Sequence, residues 1–161
     1  MDFILKEATL DHISILTQII KNSFKEVAQK FNLNENNAPT HASNCTNNWI
    51  ITALKKGIKY YLLEFKNNPI GCVALEIVNS KKCYLERLSV LPEYRKKGFG
   101  KILVDFTINK AKEFEINRIE IGVIAKDLEL MNWYKKLGFI LNQITKFNHL
   151  PFDVALMFKD I

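Results

Sequence analysis

Cysteine is scarce in this chain: Cys45, Cys72 and Cys83 are the only three among 161 residues. Their number is odd and their spacing fits neither a disulfide framework nor a set of metal ligands, so no metal is expected. Two of them sit inside apolar runs, where a thiol behaves as a small hydrophobe, and the expected setting is reducing and cytoplasmic. Long hydrophobic runs are also missing. Nothing approaches the ~20 apolar residues of a membrane span, and Asp2, Lys6 and Glu7 stand where a secretory signal would be apolar. The chain shows no repeat, low-complexity tract or linker, so residues 1–161 are expected to form one domain. A domain of this size buries roughly 70% of its unfolded surface and needs no staple. The 23 basic and 17 acidic residues leave a formal charge of +6, but the lysines are scattered. Such a surplus suits solubility or an anionic partner. It does not build the basic stripe interleaved with aromatics that nucleic acid requires, because Lys81-Lys82 and Arg95-Lys96-Lys97 do not extend into one.

What is present reads as an alternation of strands and helices. Phe3 to Lys6 is a short first strand; Thr9 is a helix cap, and Ile13, Leu16, Ile20, Phe24, Val27 and Phe31 recur at helical spacing. From Asn32 to Asn48 asparagines crowd a polar loop too long for a simple connector. Thr46 caps a second helix that Gly57 closes. Lys59–Phe65, Ile70–Val78 and Cys83–Leu91 are three strands joined by short polar turns, hence an antiparallel meander. Lys101–Phe114 is a helix, Arg118–Ile124 a strand, Leu128–Leu137 a helix stopped at Gly138, and Phe139–Lys146 and Phe152–Phe158 two last strands. The expected fold is therefore α/β (α+β): a mixed, mostly antiparallel sheet of about seven strands flanked by four helices.

The strongest chemical signal lies at Leu88-Ser89-Val90-Leu91-Pro92-Glu93-Tyr94-Arg95-Lys96-Lys97-Gly98-Phe99-Gly100-Lys101. A strand stops at a proline, and a basic tripeptide with two alternate glycines leads into a helix. The first turn of a helix has N–H groups without partners, which suit a phosphate. Gly98 and Gly100 let the backbone approach an anion, while Arg95, Lys96, Lys97 and Lys101 supply positive charge. The segment is neither a Walker A loop nor a dinucleotide fingerprint. A plain strand-to-helix turn with solvated lysines is the alternative.

Arg95-Lys96-Lys97-Gly98-Phe99-Gly100 resembles the R/Q-x-x-G-x-G/A motif of the GNAT superfamily of acetyltransferases. Leu88-Ser89-Val90-Leu91-Pro92 looks like that family's splayed central strand, and Asn132-Trp133-Tyr134-Lys135-Lys136-Leu137-Gly138-Phe139 is similar to its x-L-Y-x-K-x-G-F segment. The likeness is strong over residues 84–140 and weak before residue 58. Two positions depart from the pattern. Asp127 stands where many members carry Asn, which removes an amide contact to the pantetheine arm, and Leu130 where they often carry Ala.

The resemblance implies a transfer of acetyl from acetyl-CoA to a primary amine of a small molecule or peptide, by direct transfer in a ternary complex. It implies that residues 95–101, with Phe99 among them, meet the pyrophosphate. Leu88, Ser89 and Val90 would lie along the pantetheine, with the Val90 N–H facing the oxyanion and Asp127 and Tyr134 near the cofactor. Tyr134 would protonate the departing thiolate. Alternation puts Tyr84, Glu86, Leu88 and Val90 on one face, and Glu86 becomes the candidate base. A salt bridge is the alternative role for Glu86, and plain core for Tyr134. His41, in the Asn-rich loop, is a candidate substrate contact or base. The loop itself is expected to border the acceptor site, with a solvated connector or a homodimer contact as the alternatives. A non-catalytic CoA-binding module on the same fold is the rival reading.

Overall fold

The computed structural model describes residues 2–161. The strands are β1 (Phe3–Glu7), β2 (Lys59–Phe65), β3 (Asn68–Ile77), β4 (Lys82–Val90), β5 (Arg118–Ile124), β6 (Ile140–Lys146) and β7 (Asp153–Asp160). The helices are α1 (Ile13–Lys30), α2 (Asn47–Lys55), α3 (Phe99–Glu113) and α4 (Leu128–Lys136). The strands form one seven-stranded sheet in the order β1-β2-β3-β4-β5-β7-β6. Every pairing is antiparallel except β4 with β5, which α3 joins as a parallel crossover.

Local signals set the element ends. Thr46 Oγ1 accepts from the Trp49 N–H at 3.4 Å and opens α2. Gly57 and Gly138 take φ of 84° and 93° just beyond α2 and α4, a left-handed turn that costs glycine nothing. At the first helix Thr9 acts with His12, whose Nδ1 accepts from the Thr9 N–H at 2.9 Å. A single 3₁₀ turn over Leu10–His12 therefore precedes α1.

Alternation divides the apolar residues between two cores. Tyr60, Leu62, Cys72 and Ala74 face α1 and α2, packing on Leu16, Ile19, Ile20 and Ile50. Tyr61, Leu63, Val73, Leu75, Cys83 and Leu85 face α3 and α4, packing on Phe99, Leu103, Val104, Met131 and Tyr134. The Asn-rich loop is compact. Asn34 Oδ1 accepts from the N–H groups of Asn36 and Asn37, Asn37 Nδ2 donates to Asn32 O at 2.8 Å, and Asn44 Nδ2 donates to Ala38 O at 2.9 Å. These side chains and a 3₁₀ turn over Ala42–Asn44 hold the loop, which ends at Thr46 because Asn47 and Asn48 already belong to α2, while Ala38, Ala42 and Cys45 bury beneath it.

Two features of β4 shape the centre of the sheet. Its pairing with β5 covers only Lys82↔Arg118, Cys83↔Ile119 and Tyr84↔Glu120. Beyond these, β5 follows β7 to Ile124 and β4 follows β3 to Val90, so the sheet opens between them. The β3–β4 register also slips: Ala74 faces Glu86 but Cys72 faces Ser89. Arg87 and Leu88 together oppose Val73, a β-bulge, and Arg87 takes a φ of 54°.

Candidate active site

The bulge corrects the expected face assignment. Cys83 and Leu85 point to the α3/α4 core, as do Leu88 and Val90, which pack against it. Glu86, opposite Ala74, lies on the α1/α2 face. The extra residue reverses the alternation, so Tyr84 and Glu86 do not share a face with Leu88 and Val90.

Beyond Tyr84 the β4 edge is open. The Leu91 N–H bonds to Ile70 O at 2.9 Å, and alternation from there turns the Val90 and Leu88 N–H groups away from β3, toward the gap. The Val90 carbonyl is taken by Arg95 Nε at 3.0 Å. Ser89 does not face the gap. It is buried, lies opposite Cys72, and its Oγ donates to Arg87 O at 2.9 Å, which holds the bulge closed.

After β4 a 3₁₀ turn over Pro92–Tyr94 leads to Gly98, which has φ 89° and caps α3. The Ile102 N–H makes the first helical bond, to Gly98 O at 3.1 Å, so the Phe99, Gly100 and Lys101 N–H groups have no partner within the helix. A Cβ on Gly98 would meet nothing within 4 Å, whereas one on Gly100 would stand 3.2 Å from Trp133 of α4. Open space at Gly98 leaves its backbone approachable; Gly100 lets two helices close on each other. Phe99 offers its backbone alone, because its ring is buried against Phe65, with 5.1 Å between centroids.

Arg95 does not lend its charge to the mouth of this turn. Its guanidinium runs inward to Val90 O, Ser23 O and Glu26, with Nη1 2.7 Å from Glu26 Oε2, and clamps α1 to the end of β4. Lys96 is exposed, Lys97 lies 5.7 Å from the Tyr94 ring centroid, and Lys101 pairs with Asp105 one turn along α3. The cationic surface is thus lysine alone.

Tyr134, on α4, is 5% exposed and stacks edge-on against Trp133 and Phe139, and its hydroxyl makes no hydrogen bond to any described residue. Burial pushes its phenol above the ordinary value, so it stays protonated at neutral pH. Asp127 is buried and caps α4, accepting from the Leu130 N–H at 3.2 Å. That cap gives its carboxylate a local task in place of the missing amide contact.

On the α1/α2 face, Glu86 is half-buried. Burial raises its pKa to about 7; next come a hydrogen bond to Glu76 that only the protonated acid can make and the Glu76 charge, with Arg87 opposing. His41 Nδ1 accepts from the Ser43 N–H at 3.3 Å, and the ring lies edge-on to Phe24. Burial, then the charge of Arg87, lowers its pKa, which leaves it neutral. Sequence reasoning missed Arg87, Glu76, Tyr60 and Trp49. Arg87 joins them because the bulge rotates it: its guanidinium lies 5.6 Å from the Trp49 ring centroid, and its charge is felt at His41, Cys45, Tyr60 and Glu86. One signal was in the chain. The apolar spacing Cys83, Leu85, Leu88, Val90 contains a step of three where a regular strand has two.

Comparison with known proteins agrees with this geometry. The acetyltransferase (GNAT) family matches residues 22–139, well over half of the chain. The chain belongs to the GNAT family. A solved GNAT structure, the PaiA N-acetyltransferase of Thermoplasma acidophilum in complex with coenzyme A, superposes over 100% of both chains with a TM-score of 0.83 at 20% identity. An uncharacterised N-acetyltransferase of Bacillus subtilis is 37% identical over 70 residues, 44% of this chain and 40% of its own. Another, from Chlorobaculum tepidum, is 25% identical over 80 residues, 50% of this chain and 48% of its own. The chain thus matches less than half the length of these relatives. No group of His, Cys, Asp or Glu among the described residues is arranged to hold a metal ion, and no helix there is long and apolar enough to cross a membrane.

Proposed function

We propose that this chain transfers the acetyl group of acetyl-CoA directly to a primary amine of a small molecule or peptide, within a ternary complex. The observation that carries the reading is the open β4 edge beyond Tyr84, with the partnerless N–H groups of α3 at one end. This edge can pair with an extended amide-bearing arm as a missing strand would, and the helix start can meet the phosphates attached to it. Leu88 and Val90 would supply the edge, and the backbone at Gly98, Phe99, Gly100 and Lys101 the anion contacts, with Lys96 and Lys97 adding charge.

When bound, acetyl-CoA supplies an activated thioester: the amine nitrogen bonds to the acetyl carbon as the C–S bond breaks, giving an amide and coenzyme A. Glu86 takes the proton that the amine must lose, from the α1/α2 face. The Val90 N–H meets negative charge growing on the carbonyl oxygen. Tyr134 donates its phenolic proton to the leaving sulfur from the opposite face of the sheet, and the gap lets both sides reach one point. The rival module without catalysis has no use for two proton-handling groups so placed.

A thiol-release assay over a panel of primary amines tests this. Wild-type chain should release coenzyme A in an amine-dependent way. Tyr134→Phe should lower kcat about 100-fold with acetyl-CoA affinity unchanged in calorimetry. Tight binding without release from any amine would favour the non-catalytic module; an unaltered kcat would remove Tyr134 from the proton path.

A further inference from the structure

The α1/α2 face of the gap holds a cation that acetyl transfer leaves unused. Arg87 makes no ion pair and no side-chain hydrogen bond to any described residue. Arg95 and Arg118, by contrast, both bond carboxylates. Arg87 is nevertheless half-buried, 5.6 Å from the Trp49 ring centroid, and its charge is felt at His41, Cys45, Tyr60 and Glu86. A guanidinium in such surroundings is normally paired. Its backbone is strained as well, at φ 54°; arginine gains nothing there that asparagine or glycine would not supply more easily.

Trp49 explains where the guanidinium lies but not why its donors are left over. The guanidinium carbon lies 5.6 Å from the Trp49 ring centroid, within reach of a cation–π attraction that uses none of its N–H donors, so the N–H fork stays available to a planar anion. Because Glu86 and Arg87 are adjacent and the bulge turns both to one face, the site offers a proton acceptor and an anion receptor side by side. One molecule carrying both complementary groups would engage the two together.

We propose that the acceptor is an amine that also carries an anionic group, a carboxylate or a phosphate, and that Arg87 binds this group while Glu86 faces the amine. Arg87 is then a specificity-determining residue. The inference rests on the acetyl-transfer reading above. A purely cationic polyamine would place positive charge against Arg87 and is disfavoured.

The test compares matched amines that differ in the anion: β-alanine with n-propylamine, lysine with cadaverine, and phosphoethanolamine with ethanolamine. Kinetics on the full chain give kcat/KM, and calorimetry on protein saturated with coenzyme A gives binding without turnover. The anionic member of at least one carboxylate or phosphate pair should be preferred by about 10- to 100-fold, the range of a charge-assisted hydrogen-bond pair. The first two pairs report a carboxylate and the third a phosphate. Arg87→Asn, which suits a positive φ, should abolish the preference by raising KM for the anionic member only. Arg87→Lys should restore part of it, and it keeps the test open if the asparagine variant melts early. No preference in either measurement, or a preference that survives in Arg87→Asn, overturns the proposal. Amine-dependent release that ignores the anion would do so while leaving acetyl transfer intact. An anion preference in calorimetry with no release would instead uphold Arg87 and sink the transferase reading.

Discussion

Glu86 and Tyr134 stand on opposite faces of the opened sheet, and burial raises the pKa of both with opposite consequences. For the carboxyl, the rise carries it to about 7, where it can accept a proton near neutrality yet still exist as the carboxylate. For the phenol, the rise secures the protonated form that a donor needs. In the proposed role Glu86 must be ionised to act, so activity should be present above its pKa and lost as pH falls through about 7. Part of that position is owed to Glu76, whose carboxylate disfavours a second negative charge nearby. Glu76→Gln should therefore move the acid limb of the kcat/KM profile to lower pH, and Glu86→Gln should flatten it. If the limb stays in place in both variants, it belongs to another group. His41 stays neutral, with Nδ1 engaged as a cap, and its Nε2 makes no hydrogen bond to any described residue, so His41→Ala tests whether this ring contacts the amine.

At the level of elements, the turn from β4 to α3 depends on Arg95 in a way its motif does not reveal. The side chain crosses from the turn to α1 and joins Val90 O, Ser23 O and Glu26. The Glu26 contact is to a carboxylate 63% exposed, so it contributes little. The bonds to the two carbonyls are partly buried and hold α1 against the strand end. Arg95→Met should cost about 2 kcal/mol, the scale of a lost charge-assisted hydrogen bond, seen as a lower Tm. Lys96→Met, on an exposed side chain of the same turn, should leave Tm unchanged. Equal melting of the two variants would show that Arg95 is not a clamp. Gly98 and Gly100 likewise differ in kind: one supplies a positive φ in open space, the other lets Trp133 close on α3.

Across the whole molecule the formal charge of +6 is spread over lysines, and around the turn Lys96 and Lys97 are the cations without a carboxylate partner among the described residues, once Arg95 is drawn inward and Lys101 meets Asp105. Exposed charges attract a polyanion over a distance that salt shortens, from ~10 Å at 0.1 M to ~3 Å at 1 M. Acetyl-CoA affinity should thus weaken as NaCl rises from about 0.05 to about 0.5 M, and Lys96→Gln with Lys97→Gln should reduce that dependence. Calorimetric affinities that do not move with salt would assign the binding to backbone contacts alone.

The sequence by itself determined the order of elements, because helical and strand periodicities, the Thr46 cap and the glycines at 57 and 138 act within a few residues. It also determined the glycine turn into α3, whose residues are contiguous, and so the resemblance to the family. Only the tertiary structure decided where the sheet opens, since that depends on β7 entering between β5 and β6 and drawing β5 away from β4. It decided the direction of Arg95, whose partners Ser23 and Glu26 are some seventy residues distant. It decided the faces of Glu86 and Arg87 too. A bulge shows in a strand's own sequence only as one irregular apolar step, and its effect, reversing every face beyond it, exists only against the register of the neighbouring strand.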